Sequence, residues 1–189
     1  HRHTIIRITQ MKEISLHILD LINNCLAAKA TEIEVEILDS VSENIVRITI
    51  TDNGCGILPK DLDKVTDCRY TSRKERNIGL GLALAKQNAE RSGGGLRIES
   101  VYRRGTKVEF WFEKNHIDRQ PLGSMASVVS IVNSQPSIDL CYRHSTDWGE
   151  YVFDSRDWKG DCEYLSAKQL LQIQKEIEQG LESIKGNKI

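Results

Sequence analysis

The spacing of apolar residues changes along the chain, and it predicts where helices and strands lie. Residues 13–30 contain no Pro or Gly, and their apolar residues recur at helical intervals, which predicts an amphipathic helix. Residues 31–38 and 44–51 alternate between apolar and polar positions, which predicts two half-buried strands. The turn at residues 39–43 pairs these strands as a hairpin.

The same patterns predict the order of the remaining elements. They are a short helix at 59–66, a charged loop at 67–78, a helix at 79–91, a hairpin at 95–102 and 106–112, a polar hinge at 115–124, a helix at 125–133, a second hairpin at 138–143 and 150–154, and a final helix at 167–184. The final helix carries one apolar stripe. Such a stripe most often docks on the rest of the molecule, and less often it forms the seam of a homodimer.

A carboxylate and two glycines directly follow the second predicted strand. The sequence there is Asp-Asn-Gly-Cys-Gly at residues 52–56. Asp52 can accept a hydrogen bond from the exocyclic amine of adenine, while Gly54 and Gly56 leave room for the flat ring. Asp-Asn-Gly is also an ordinary turn sequence, so this segment alone predicts little.

A second glycine pair opens the predicted helix at 79–91. The free N–H groups and the dipole of a helix N-terminus favour phosphate oxygens, which gives Gly79 and Gly81 a role in binding phosphate. Gly-x-Gly is by itself an ordinary loop sequence. The two glycine segments together predict a domain that binds ATP.

The predicted helix at 13–30 carries a polar seam. At about 100° per residue, Glu13, His17, Asp20, Asn24 and Ala27 fall on one narrow line. The usual explanation is a solvated face, but the seam has no Lys or Arg, so we expect it to face the ligand. Asn24 offers an oxygen to Mg²⁺, and Asp20 is placed to activate the group that attacks the γ-phosphate. We expect His17 to pack or to support Asp20 rather than to accept phosphate.

The charged loop at 67–78 supplies candidate cations. On closure over the nucleotide, such a loop brings basic side chains to the β- and γ-phosphates. Arg73 and Lys74 are the favoured clamps, whereas a solvated surface explains Arg69 and Arg76 equally well.

Composition narrows the class of protein. The chain has 26 basic and 27 acidic residues and a net charge of −1, so nothing directs it toward nucleic acid or a membrane surface. No apolar stretch reaches the length of a membrane span, and no signal peptide is visible. The five cysteines are scattered and odd in number, which is typical of reduced thiols. These features predict a cytoplasmic protein.

The motifs resemble those of a known superfamily. Residues 20–24, 52–56 and 79–82 stand in the order of the ATP-binding boxes of the Bergerat-fold proteins, which include gyrase, Hsp90, histidine kinases and MutL. Across about residues 11–113 the chain resembles the histidine-kinase branch. The resemblance implies an α/β (α+β) two-layer sandwich, in which helices cover one face of a mixed, mostly antiparallel sheet and ATP lies under a mobile lid.

The resemblance also implies particular contacts with the nucleotide. Thr106 would reinforce the contact between adenine and Asp52 through water, and the hydroxyl groups of Thr71 and Ser72 would belong to the lid. Other residues of the boxes that would surround the nucleotide are Ala28, Ile57, Leu80 and Leu82.

Two departures from sensor kinases refine this expectation. Asp20 stands where those kinases usually have Asn, and an acid there resembles the hydrolytic members and the anti-sigma-factor serine kinases. We also expect the chain not to be a complete sensor kinase, because the residues before Met11 are too few for the helical domain that carries the phospho-accepting histidine. At residues 15–21, 65–67, 116–123 and 138–144 the chain resembles more narrowly a small cytosolic family of anaerobic bacteria, often encoded beside iron-only hydrogenase subunits.

Three segments follow from these patterns. Residues 1–10 are an N-terminal strand or upstream remnant, residues 11–114 an ATP-binding domain, and residues 115–189 a helix-hairpin-helix extension. The predicted function is that of a regulatory ATPase or protein kinase dependent on ATP and Mg²⁺, with an unidentified regulatory protein as partner or substrate. The alternative is a module without catalysis that senses the nucleotide and binds its partner in the ATP-closed state.

Overall fold

The computed structural model describes residues 13–66, 81–136, 138–160 and 164–186. Within these ranges lie six helices and six strands. The helices are α1 (Ile14–Ala27), α2 (Pro59–Leu62), α3 (Gly81–Arg91), α4 (Met125–Asn133), α5 (Arg156–Lys159) and α6 (Ala167–Ser183). The strands are β1 (Glu32–Ser40), β2 (Ile45–Asp52), β3 (Gly95–Val101), β4 (Gly105–Glu113), β5 (Asp139–Thr146) and β6 (Gly149–Asp154).

The strands form one sheet in the order β3-β4-β2-β1-β5-β6. Every neighbouring pair is antiparallel except β1 and β5, which run parallel. The sheet is therefore mixed and mostly antiparallel, and the predicted fold class is confirmed.

The apolar alternation of the strands decides which face carries the helices. Ile33, Val35 and Ile37 of β1 are almost fully buried, whereas Glu34 and Glu36 between them are partly exposed. Helix α1 lays its own apolar stripe on the buried face, and α3, α4 and α6 complete the same helical layer. This face is the core of the molecule, because burial of apolar surface is the main favourable term in folding.

The C-terminal segment shares this sheet and this core. Its hairpin adds β5 and β6 beside β1, and its helix α4 begins and ends where the sequence predicts. Helix α6 packs on α4 and β6 through the predicted apolar stripe, in which Ile173 and Ile177 are fully buried. The stripe thus docks on the rest of the molecule.

Two predicted helices end early. Helix α1 stops at Ala27 because Lys29 adopts φ 63°, and the N–H groups of Lys29 and Ala30 donate to the carbonyls of Leu26 and Cys25. This is the hydrogen-bond pattern of a Schellman cap, which periodicity did not predict because lysine rarely adopts that conformation.

Helix α2 is also shorter than the predicted helix at 59–66, since it ends at Leu62. The backbone then makes a turn in which Lys64 N–H donates to Asp61 C=O. Residues 1–12 and 67–80 lie outside the described residues. In the part of the chain that is described, no helix is both long and apolar enough to cross a membrane.

Candidate active site

A cavity of about 180 Å³ opens between the end of α1, the end of β2 and strand β4. We call it the nucleotide cavity. It is mainly apolar, with Leu21, Ile50 and Val108 among its walls. The residues predicted from sequence that line it are Asn24, Ala28, Asp52, Gly56, Ile57, Leu82 and Thr106.

Asp52 ends strand β2 and lies directly opposite Thr106 of β4 in the antiparallel register. Its Oδ1 accepts from Gly54 N–H at 2.8 Å, which fixes the carboxylate in a turn over its own backbone. The Cys25 thiol lies close by. Burial, and next the negative charge of Asp52, raise the pKa of that thiol, so it stays neutral beside the carboxylate.

Ser100 is a residue of the site that the sequence interpretation missed. Its Oγ accepts from Ile57 N–H at 2.8 Å and lies 3.0 Å from Thr106 Oγ1 and 3.0 Å from Gly105 C=O. It therefore ties β3 to β4 and to the loop after Asp52. The register of the structure places Ser100 opposite Thr106, a pairing that the predicted bounds of the hairpin did not give.

The two glycines of the loop are required by packing. A Cβ at Gly54 would lie 2.8 Å from the carbonyl oxygen of Ala28, and one at Gly56, where φ is +65°, would overlap the carbonyl of Val101. The loop is held between these neighbours, since Cys55 N–H donates to Ala28 C=O at 2.8 Å. Gly56 lines the nucleotide cavity, whereas Gly54 packs against α1.

Asp20 lies one turn before Asn24 on α1, at the beginning of α3. A Cβ added to Gly81 would overlap the Asp20 carboxylate, so Gly81 of α3 is in direct contact with that side chain. Partial burial raises the pKa of Asp20, although the nearby His17 opposes the shift. A carboxyl group whose pKa is raised toward neutrality is a better proton acceptor for catalysis than an ordinary one.

The residues of the polar seam of α1 therefore lie in two different environments. Asn24 and Ala27 line the nucleotide cavity, whereas His17 is only 1% exposed. The His17 ring is wedged between Asn88 of α3 and Gln120. Its desolvation lowers the pKa of His17, so the ring is neutral.

The Asn24 side chain lines the cavity and carries an amide oxygen that can ligate magnesium. Its Nδ2, which is buried without a hydrogen-bond partner among the described residues, is a donor and suits a phosphate oxygen, not the metal. Amide oxygens are hard ligands, and Mg²⁺ commonly takes only one or two protein ligands beside phosphate oxygens and water. Within the same described ranges, no group of three or more His, Cys, Asp or Glu side chains could hold a metal alone. A metal held here would thus depend on the phosphates of a bound nucleotide.

The remaining predicted residues lie outside the described part of the chain. They are Thr71, Ser72, Arg73, Lys74, Gly79 and Leu80, together with Arg69 and Arg76 of the same loop. Their roles stay predictions.

Residues 10–116 match the family described as histidine kinase-, DNA gyrase B- and HSP90-like ATPase, over more than half of the 189 residues. The chain belongs to this family. It therefore contains a histidine-kinase-like ATP-binding domain, and the predicted superfamily is confirmed. The narrower gene-neighbourhood family stays a prediction.

Relatives of this ATPase domain are sensor proteins. The chain is 30% identical over 97 residues to a putative sensor protein of Shewanella frigidimarina, covering 50% of this chain and 15% of that one. It is 37% identical over 73 residues to the sensor histidine kinase WalK of Bacillus subtilis, covering 36% of this chain and 12% of that one. The chain thus spans about a seventh or less of the length of these relatives.

Solved structures that resemble this chain share less of its sequence than the sensor proteins do. The N-terminal domain of a DNA repair protein superposes with a TM-score of 0.48 and 13% identity, covering 76% of this chain and 52% of that one. The catalytic domain of the histidine kinase ThkA gives a TM-score of 0.42 and 21% identity, covering 52% of this chain and 64% of that one.

Proposed function

We propose that the chain is a cytoplasmic enzyme that transfers the γ-phosphoryl group of ATP with the help of Mg²⁺, as a regulatory ATPase or protein kinase. The observation that carries the proposal is the placement of two side chains on α1. Asn24 lines the nucleotide cavity, and one turn away Asp20 contacts the first residue of α3, Gly81. A metal ligand and a proton acceptor are thereby held on one rigid helix.

Adenine recognition falls to the opposite end of the nucleotide cavity. Asp52 would accept from the exocyclic amine, and Thr106, directly across the ladder, would support the contact through water. The apolar walls would enclose the ring faces, as is usual for a small-molecule site with few polar groups.

The phosphates would lie between Asn24 and the beginning of α3. Bound Mg²⁺ would neutralise charge on the phosphate oxygens and align them for attack. Asp20 would hold the proton of the attacking water or hydroxyl group at its carboxylate. Arg73 and Lys74 of the lid, with Thr71 and Ser72 before them, would bind the β- and γ-phosphates, and Gly79 would cradle phosphate with Gly81.

Substitutions on α1 test the proposal against a close control. Asp20→Asn keeps the shape of the side chain but removes the base, so turnover should fall by about a hundredfold or more while ATP binding persists. Asn24→Ala should weaken binding of ATP with Mg²⁺. The matched control is Asn23→Ala, because Asn23 is the exposed neighbour of Asn24 on the same helix.

The assay offers ATP labelled on the γ-phosphate to the wild-type chain and to candidate partner proteins. Free labelled phosphate indicates an ATPase, and label on the chain or on a partner indicates a kinase. Binding of ATP without any of these products would overturn the proposal of catalysis.

That last outcome would favour a second candidate, a nucleotide-sensing switch that binds a regulatory protein without chemistry. One observation favours it. The N–H groups of Ile14 and Ser15, which begin α1, donate to the carbonyls of Pro121 and Leu122 at 3.0 and 2.8 Å. The segment that leads to the C-terminal elements is thus attached to the helix that carries Asn24, so a change at one can reach the other.

A further inference from the structure

His17 joins three segments that are distant in sequence. Its Nε2 lies 2.7 Å from Nδ2 of Asn88 on α3 and 3.2 Å from Oε1 of Gln120. Gln120 belongs to residues 114–124, which connect β4 to α4 and which we call the connecting segment. Since His17 itself is on α1, its ring touches the helix of the site, the helix that begins at the site, and the path to the C-terminal elements.

One ring nitrogen cannot satisfy both neighbours at once. To bond to Gln120 Oε1, Nε2 must carry the hydrogen, whereas to bond to Asn88 Nδ2 it must present its lone pair. The neutral ring has a single N–H, so the two bonds exclude each other.

The other ring nitrogen does not favour either bond. His17 Nδ1 is buried and has no partner among the described residues. It is an unpaired acceptor when Nε2 bonds to Gln120 and an unpaired donor when Nε2 bonds to Asn88. Each tautomer therefore leaves one buried ring nitrogen unsatisfied, so Nδ1 does not decide which of the two bonds forms.

The bond to Asn88 acts on the nucleotide cavity. Asn88 lies two turns into α3, which begins with Gly81 against Asp20 and places Leu82 in the cavity wall. Helices are stiff over this length, so fixing Asn88 to α1 fixes the start of α3 as well. We expect an α3 held in this way to favour a bound nucleotide.

The bond to Gln120 acts on the connecting segment. Arg119 braces that segment, because its Nε donates to Lys114 C=O at 2.6 Å and its Nη1 donates to Gln120 C=O at 3.0 Å. Four residues beyond Gln120, Ser124 caps α4 by accepting from Ser127 N–H. Gln120 is thus only four residues from the cap of α4, so we expect a change at Gln120 to reach the beginning of α4.

We propose that His17 is a positioning residue that couples the connecting segment to the nucleotide cavity by exchanging one hydrogen bond between Gln120 and Asn88. When the hydrogen bond from His17 to Gln120 breaks, the ring can accept from Asn88 and hold α3. When the bond to Gln120 forms, the bond to Asn88 is lost. A protein that pulls on the connecting segment or on α4 would thus change the affinity for nucleotide. The proposal rests on nucleotide binding by the cavity and is independent of hydrolysis.

The test measures the dissociation constant of a non-hydrolysable ATP analogue with Mg²⁺ by calorimetry. Asn88→Ala removes the bond that holds α3, so affinity should fall. Gln120→Ala leaves the ring permanently available to Asn88, so affinity should rise. Allosteric coupling typically changes affinity by about fivefold or more, and we expect opposite shifts of that order. Gln87→Ala, at an exposed position beside Asn88, is the control and should change little.

A third variant identifies the residue that carries the coupling. His17→Phe keeps a ring in the buried site but removes both hydrogen bonds, and in that background the Asn88 and Gln120 substitutions should each lose their effect on affinity. Should His17→Phe fail to fold, the opposite signs of the two single substitutions still decide the matter, because Asn88 and Gln120 are only half-buried.

The outcomes separate this coupling from the proposed catalysis. Shifts in the same direction for Asn88→Ala and Gln120→Ala, or effects that survive in His17→Phe, would show a merely structural role and overturn the coupling. Opposite shifts in a chain without turnover would support the coupling and refute phosphoryl transfer. A chain that binds no nucleotide would refute both.

Discussion

The two ends of the nucleotide cavity differ in how their polar groups are satisfied. At the strand end, which comprises Asp52, Ser100 and Thr106, the side chains bond to one another's strands and to the loop beside them. At the helix end, which comprises Asp20, Asn24 and Gly81, Asn24 Nδ2 is buried without a partner in the described residues. A satisfied group is preorganised, whereas an unsatisfied one is completed by what binds. The strand end is therefore built to select a ligand and the helix end to act on it.

The largest expected effect comes from a substitution that disrupts the helix end of the cavity. Gly81→Ala places a methyl group on the Asp20 carboxylate, which must then move. Displacement of a reacting group by about 1 Å can reduce a rate about a hundredfold, so turnover should fall by at least that factor. We expect overpacking also to lower stability by about 1–3 kcal/mol. Turnover and thermal melting are the measurements.

The cause of the Gly81→Ala effect can be isolated in a second background. A Cβ at Gly81 would lie 3.5 Å from the Cβ of Asp20, an ordinary contact, so among the described neighbours it is the carboxylate that is in the way. In Asp20→Ala, the further change Gly81→Ala should leave the melting temperature unchanged. A persistent loss of stability would place the strain elsewhere in α3.

The next largest effect is expected from a substitution at the strand end of the cavity. In Asp52→Asn the amide oxygen can still accept from Gly54 N–H, so the turn and the melting temperature should be preserved. The charged acceptor for adenine is lost, and a hydrogen bond to a charged group contributes about 1.5–3 kcal/mol. Affinity for ATP should fall roughly ten- to hundredfold. An unchanged affinity measured by calorimetry would remove Asp52 from adenine recognition.

A smaller effect tests whether the strand end acts as one unit. Ser100→Ala leaves Ile57 N–H without its acceptor and Thr106 without its neighbour, which should cost about 1–3 kcal/mol of stability and weaken ATP binding severalfold. Thr106→Val should weaken binding as well. Because Ser100 and Thr106 share a contact, the double variant should lose less than the sum of the single losses. Additive losses would mean that the two hydroxyl groups act separately.

The sequence predicted the two ends of the cavity unequally. Asp52 and its glycines are consecutive in the chain, and Asp20 and Asn24 share one helical turn, so spacing alone brought each set together. Thr106 entered only through the resemblance to a family, because periodicity reports which face a residue occupies and does not report its partner across the sheet.

The long-range contacts were out of reach for the same reason. His17 bonds to residues 71 and 103 positions away, and no local pattern encodes either pairing. The parallel pairing of β5 with β1 was missed likewise, since the alternation in β5 is the same whichever strand it joins. The predicted extension at 115–189 therefore contained two helices and a hairpin but missed the short helix α5, and it did not show that β5 and β6 continue the sheet.

The smallest expected effect is a change in the stability of the fold with pH, and it tests the difference between the two ends of the cavity. Partial burial raises the pKa of Asp20 above its ordinary value of 3.8, so the folded state binds that proton more tightly than the unfolded state does. The charged carboxylate consequently destabilises the fold at pH values above the raised pKa, and the penalty disappears below pH 3.8. Asp20→Asn should therefore raise the melting temperature by a few degrees at pH 7 and leave it unchanged near pH 3. A gain in melting temperature of the same size at both pH values would attribute the effect to packing of the amide. A gain confined to neutral pH would mean that the charged Asp20 lowers stability, and that the helix end keeps this carboxylate for proton transfer at that cost.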